Sequence, residues 1–183
     1  MWLNLIFLFL PIMYFAIHWH YHKTDTFFKD FKTFFGINKI NYKSFYKGIL
    51  LFVILFVVSI IINLIVYLFF PQYNDLGKVS DTILSYIQLG KIFYFFVTLV
   101  VGVFLEEFFF RSFLVPRLGV IFSTLAFALL HYGYGSWVEI GGAFVLGLVL
   151  AYYYKKNNDL FINFYGHIIY NILVVLLAII AVM

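Results

Sequence analysis

Long apolar runs alternate along this chain with short polar breaks, and the breaks carry most of the charge. A helix that crosses a bilayer needs about 20 mostly apolar residues, and the pattern predicts six spans. They fall at residues 2–18, 47–70, 91–115, 119–131, 137–154 and 160–183. The first has no basic n-region and no small-residue cleavage site, so it reads as a retained helix, kinked at Pro11. Pro71 and Pro116 read as stop signals for the second and third. The fourth is short for a full crossing. A further short helix is expected over residues 79–89, capped by Ser80 or Asp81. Between the first two spans, residues 25–35 set Phe27, Phe28, Phe31, Phe34 and Phe35 at helical spacing, with Lys29, Asp30 and Lys32 largely on the other side. This pattern predicts a helix lying in the membrane interface. The expected fold class is all-α: a polytopic transmembrane bundle of about six spans plus a basic interfacial helix. It forms one membrane unit, with N-terminal spans in residues 1–90 and a core in residues 91–183.

Composition agrees and sharpens the picture. Of 183 residues, 65% are hydrophobic and 11% charged, against about a quarter charged in an average soluble domain. An interior of this size cannot hide 26 Phe and 15 Tyr beside so many aliphatics, so the excess faces lipid. Cys is absent, which excludes disulfides, thiolate zinc sites and a cysteine nucleophile. The net charge of +4 is a matter of topology more than of an acidic partner, and no nucleic-acid ligand is implied. Lys23, Lys29, Lys32, Lys39, Lys43 and Lys47 sit in or beside the first long polar segment. Alternation of the spans puts Arg117, Lys155 and Lys156 on the same side, with Lys78 and little else opposite. The positive-inside rule makes the Lys-rich side cytoplasmic and both termini external.

Charges inside a membrane cost at least about 2.5 kcal/mol each and mark function by default. Glu106, Glu107 and Arg111 lie in the third span, His131 ends the fourth, and His167 and Asn171 lie in the sixth. Glu107 and Arg111, four apart, can neutralise each other. Glu106 points elsewhere, about 100° around the helix. His167 and Asn171 share a face, and Phe127 packs one turn below His131. Counted from the Lys-rich boundary at helical rise, Glu106 lies roughly 15 Å deep, His131 roughly 18 Å, His167 roughly 10 Å and Asn171 roughly 16 Å. Three helices therefore deliver polar groups to one layer, read here as a site that opens toward the cytoplasm.

A carboxylate and two imidazoles around a small cavity can activate water directly or through a metal. In the direct form Glu106 and His131 hold and deprotonate the water, and His167 and Asn171 donate to the oxyanion. In the metal form Glu106, His131 and His167 are ligands of an open zinc site. The H-E-x-x-H pattern is absent, and the residues leave both forms open. Ser112 and Ser123 have no base at a suggestive spacing and read as helix-packing or backbone-bonding serines. His18, His20 and His22 beside Trp19 and Tyr21 read as interfacial, Glu139 as a boundary charge, and Gly141, Gly142, Ala143 and Gly147 as a close-packing surface.

The order Glu-Glu-x-x-x-Arg (106–111), Phe-x-x-x-His (127–131) and His-x-x-x-Asn (167–171) on successive apolar helices resembles the CAAX protease and bacteriocin-processing (CPBP, or Abi) family of intramembrane proteases. The likeness covers residues 93–182, about half the chain. It implies catalytic roles for Glu106, His131, His167 and Asn171, support from Glu107 and Arg111, and cleavage of a membrane-anchored peptide, as in type II CAAX prenyl endopeptidases. Ser112 departs from the Gly that such proteins often carry, and residues 1–90 match no pattern of the family. Two other classes use the same groups: a proton-coupled transporter or channel, and a catalytically silent membrane scaffold or immunity protein.

Overall fold

The structure is a computed structural model that describes residues 2–22, 24–38, 41–73, 84–85 and 91–180. Among these, every regular element is helical: α1 (Trp2–His22), α2 (Phe27–Phe34), α3 (Tyr42–Phe69), α4 (Ile92–Glu106), a π-helical segment Glu107–Leu114, α5 (Val115–Leu130), α6 (Trp137–Asn157) and α7 (Leu160–Ile180). Short 3₁₀ turns follow α3 and α5. Five helical runs among the described residues are long and apolar enough to cross a membrane, and one of them, Ile92–Gly133, is 42 residues long. That run folds back on itself, since Ser123 Oγ donates to the Phe110 carbonyl and the Phe110 and Phe127 rings meet at 5.3 Å. It therefore supplies two passes, and the bundle is the expected polytopic one.

The fold-back falls at the boundary that the sequence pattern sets between the third and fourth spans, but at its glycine and not at its proline. Pro116 sits in the first turn of α5, where its missing N–H costs nothing. The chain breaks instead at Gly119, with φ 81° and ψ 173°. A left-handed φ of that kind is open to glycine without strain. Likewise Pro11 lies inside α1 without ending it, and α1 runs on to His22. Of the short helix expected over residues 79–89, Leu84 and Ser85 are helical and the remainder lies outside the described residues.

Helix α2 forms, but its aromatic face is not turned to lipid. Phe27, Phe31 and Phe34 surround Phe15 of α1 with ring centroids at 5.3, 5.1 and 5.0 Å. Trp19 Nε1 donates to Asp30 at 3.0 Å. Four rings packed on one another gain edge-to-face contacts that an interfacial helix would forgo. Phe28 remains outward, 76% exposed.

The loop after α2 plugs the Lys-rich end of the bundle. Phe35 is fully buried against Phe108, ring centroids 4.6 Å apart. Its carbonyl accepts from Ser112 Oγ at 2.6 Å and from the Tyr154 hydroxyl at 3.2 Å. The Leu160 N–H donates to the Gly36 carbonyl at 3.0 Å, and Asn38 Nδ2 to the Asn158 carbonyl at 3.0 Å. Gly36 has φ 60°, and a Cβ there would stand 2.9 Å from the Asn158 carbonyl oxygen. Beyond this plug α3 lies along α7 at close range: a Cβ on Gly48 would meet Tyr165 Cβ at 2.6 Å, and one on Gly166 would meet the Leu51 side chain at 2.8 Å. Small residues are what allow backbones to approach so closely.

Candidate active site

At Glu107 the helical pitch widens from α to π, and this segment carries the most buried polar side chains of the third span. π segments interrupt α-helices chiefly at functional positions. Glu107 is completely buried. Its Oε1 accepts from His167 Nδ1 at 2.8 Å, and its Oε2 accepts from Asn163 Nδ2 at 3.2 Å and stands 3.5 Å from Arg111 Nε. The expected Glu107–Arg111 neutralisation is present, but the nearer partner is His167. Asn163 escaped the sequence reading. Its signal was available, because Asn163, His167 and Asn171 repeat at four-residue spacing along one stripe of α7. Asn163 Nδ2 also donates to the Leu150 carbonyl at 2.8 Å, tying α7 to α6.

Arg111 is held without conventional hydrogen bonds from its guanidinium nitrogens. It lies over the Phe127 ring at 4.0 Å and 5.9 Å from that of Phe110. Phe127 therefore does more than pack. It offers a π face to the cation, touches the His131 ring at 4.6 Å, and lends its carbonyl to His131 Nδ1 at 2.9 Å. That bond puts the Nδ1 proton on the carbonyl side and makes Nε2 the basic nitrogen.

Glu106, His131, His167 and Asn171 all line one cavity of about 800 Å³, with Phe127 in its wall. Glu107 and Arg111 stand behind the wall. Two layers result: groups that face the cavity, and a buried ion cluster that anchors one of them, His167.

The described lining of the cavity differs in exposure from one end to the other. Its deep walls are Leu55, 0% exposed, Leu150, 1%, and Val103, 2%. Its far lining includes Ile60, 49% exposed, and Leu177, 50%, with Asn63, Phe95 and Glu139. Ile60, Asn63 and Leu177 lie in the C-terminal halves of α3 and α7, and Phe95 and Glu139 in the first turns of α4 and α6, the halves away from Lys43, Lys47, Lys155 and Lys156. The polar groups that helical rise sets at one depth line this one cavity, and buried side chains around Phe35 fill the Lys-rich end of the bundle.

Ser112 and Ser123 both bond backbone carbonyls, as read from the sequence. Ser112 serves the plug, bonding the Phe35 carbonyl, where a glycine could not. Gly147 packs as predicted, a Cβ there lying 3.0 Å from Phe127. Gly141 and Gly142 have open space in front of them, and Gly142 borders the cavity. Glu139 lines the cavity and is not merely a boundary charge. The rings of His18 and His22 approach to 4.9 Å. Among the described residues, no three His, Asp or Glu side chains gather as ligands of one ion. The expected zinc set of Glu106, His131 and His167 shares a cavity without forming a coordination shell, and His167 Nδ1 is committed to Glu107.

Fold and cavity define a multi-pass helical membrane protein with a polar site inside the bundle. Residues 88–173 match the family model described as Type II CAAX prenyl endopeptidase Rce1-like, and this segment is similar to the family that its three motifs resemble. The matched stretch holds every residue of the two layers described above, and it supports a CAAX protease-type function in general terms. Neither a curated protein nor a solved structure matches the chain.

Proposed function

We propose that this protein is an intramembrane endopeptidase that hydrolyses a peptide bond of a membrane-associated substrate with water activated by Glu106 and His131. The observation that carries the reading is the meeting of Glu106, His131, His167 and Asn171, from three separate passes, in one cavity whose other walls are mostly apolar. An extended, largely apolar peptide fits such walls, and the polar groups meet its backbone.

In this reading Glu106 takes a proton from a water hydrogen-bonded to His131 Nε2, and the water oxygen bonds to the scissile carbonyl carbon. The developing oxyanion accepts from His167 Nε2 and from the Asn171 amide. A donor at His167 Nε2 requires an imidazolium, since Nδ1 already donates to Glu107. The buried Glu107 carboxylate supplies the compensating charge, and Asn163 and Arg111 keep that carboxylate oriented. Glu107 is thus a positioning residue. The carbon–nitrogen bond then breaks as the proton held by Glu106 passes to the departing amine. No step runs through a metal.

Purified protein in detergent micelles tests this with a panel of membrane-anchored peptides. Glu106→Gln and His131→Ala are expected to abolish cleavage while keeping the wild-type elution profile and helical content. Full activity in both variants sinks the proposal.

A further inference from the structure

Outside the four groups assigned to hydrolysis, the cavity has a second polar region. Ser59 and Asn63 of α3, Thr98 of α4, Glu139 of α6 and Tyr170 of α7 all line it. Both short hydroxyls and the amide donate to their own helices. Ser59 Oγ donates to the Phe56 carbonyl at 2.8 Å, Asn63 Nδ2 to the Ser59 carbonyl at 2.9 Å, and Thr98 Oγ1 to the Phe95 carbonyl at 2.9 Å. With its proton so placed, Ser59 accepts from the Tyr170 hydroxyl, which also lies in the field of Glu139. What this region turns to the cavity is therefore lone pairs and a negative charge. The cap of α6 uses the backbone of Glu139, whose N–H donates to Ser136 Oγ at 3.0 Å. Its carboxylate has about four lone-pair sites, enough to accept from a ligand beside any bond made within the protein. Among the described residues the lining holds no Lys or Arg.

Building on the hydrolytic reading above, we infer that Glu139, Tyr170 and Ser59 form a second subsite of the cavity, which takes a lysine or arginine side chain of the substrate within about three residues of the cleaved bond. Tyr170 lies next to Asn171 and three residues after His167 on α7, and helical residues three apart are neighbours at about 5 to 6 Å. An extended peptide advances about 3.4 Å per residue, which keeps the two subsites within a short stretch of chain. A cation brought between mostly apolar walls needs acceptors for its N–H groups, and a carboxylate beside a phenol oxygen supplies them. The apolar walls suit the methylene stem of the same side chain. An acidic side chain in this place would meet the Glu139 charge, with no Lys or Arg in the described lining to offset it.

Fluorescent membrane-anchored peptides that differ in a single residue, Lys, Gln or Glu, set in turn at successive positions, test this with the full chain in detergent micelles. Binding is read by anisotropy, and cleavage is followed on the same panel. At one position Lys should bind roughly tenfold more tightly than Gln, the size of one charge-assisted hydrogen bond, and Glu more weakly than either. In cleavage the preference should appear in KM and not in kcat. Glu139→Gln should bring the Lys-to-Gln ratio close to one, and Glu139→Asp should keep most of it. Tyr170→Phe, which loses only a hydroxyl, should lower the ratio about threefold. Equal binding of the three peptides by wild-type protein at every position, or a Lys preference undiminished in Glu139→Gln and Tyr170→Phe, overturns the inference. Binding is read whether or not the peptide is cut, so the two failures are distinguishable: cleavage without a charge preference removes the subsite and keeps the hydrolytic reading, and a Glu139-dependent preference without cleavage does the reverse.

Discussion

Glu107 is the point at which stability and site architecture meet, and its replacement by Gln isolates the charge. The amide keeps the shape and can still accept from His167 Nδ1, but it takes from the Arg111 guanidinium its ion-pair partner at 3.5 Å. At the observed 3.5 Å separation the Coulomb attraction is about 5 kcal/mol at an effective dielectric of about 20. Breaking one side of a buried pair typically costs about 3 to 5 kcal/mol, because the remaining charge stays buried. Arg111 has no hydrogen bond from its nitrogens to soften this, only the Phe127 face at 4.0 Å. For a chain of this size a loss of that order lowers Tm by roughly 10 °C. Thermal unfolding in detergent, followed by tryptophan fluorescence, reads it directly. Removing both charges in Glu107→Gln/Arg111→Met should restore more than half of the loss, since the buried guanidinium goes together with its partner. A single variant as stable as wild type, or a double variant no better than the single, would refute the claim that the pair is electrostatically coupled.

Three further outcomes follow from other contacts. Ser112→Ala removes one of the two hydrogen bonds to the buried Phe35 carbonyl and should cost about 1 kcal/mol, read as a lower midpoint in a denaturant titration, while Ser112→Thr keeps the donor. Asp30 accepts from the backbone N–H groups of Asp25 and Thr24 and from the side chains of Thr24 and Trp19, which hold its carboxyl below the ordinary value of 3.8. Its contribution is therefore present above the ordinary carboxylate range and is lost as pH falls below it. Acid titration of Trp19 fluorescence should show α2 loosening below about pH 4 in the wild type, and no such step in Asp30→Asn. Cleavage should survive prolonged dialysis against a strong chelator, measured on the same peptide panel; loss of activity that zinc restores would favour the ligand set read from residue types.

Much of this was legible in the sequence because membranes impose simple rules. Span positions follow from apolar run length, and the polar layer follows from helical rise. That arithmetic assigned Glu106, His131, His167 and Asn171 to a common depth, and they line a common cavity. What depended on packing was not legible. The aromatic stripe of α2 has the same periodicity whether it meets lipid or Phe15, so spacing could not choose between them. Depth says how far a group lies from a boundary but not which end of the bundle is plugged, and the plug is made by a loop whose partners are more than 70 residues away in sequence, as in the Ser112 to Phe35 bond. The choice of His167 over Arg111 as the nearest partner of Glu107 likewise rests on how α7 faces the π segment. Asn163 is the exception, since its four-residue spacing to His167 was in plain view.

The account's central claim is that water attacks a peptide bond in this cavity. The most direct measurement is cleavage of a membrane-anchored peptide in water enriched in oxygen-18, with the products weighed by mass spectrometry. Wild-type protein should yield a new carboxyl terminus carrying one heavy oxygen from the solvent, and Glu106→Gln should yield none. An intact peptide with wild-type protein across the substrate panel, or equal incorporation by the Glu106→Gln variant, would contradict it.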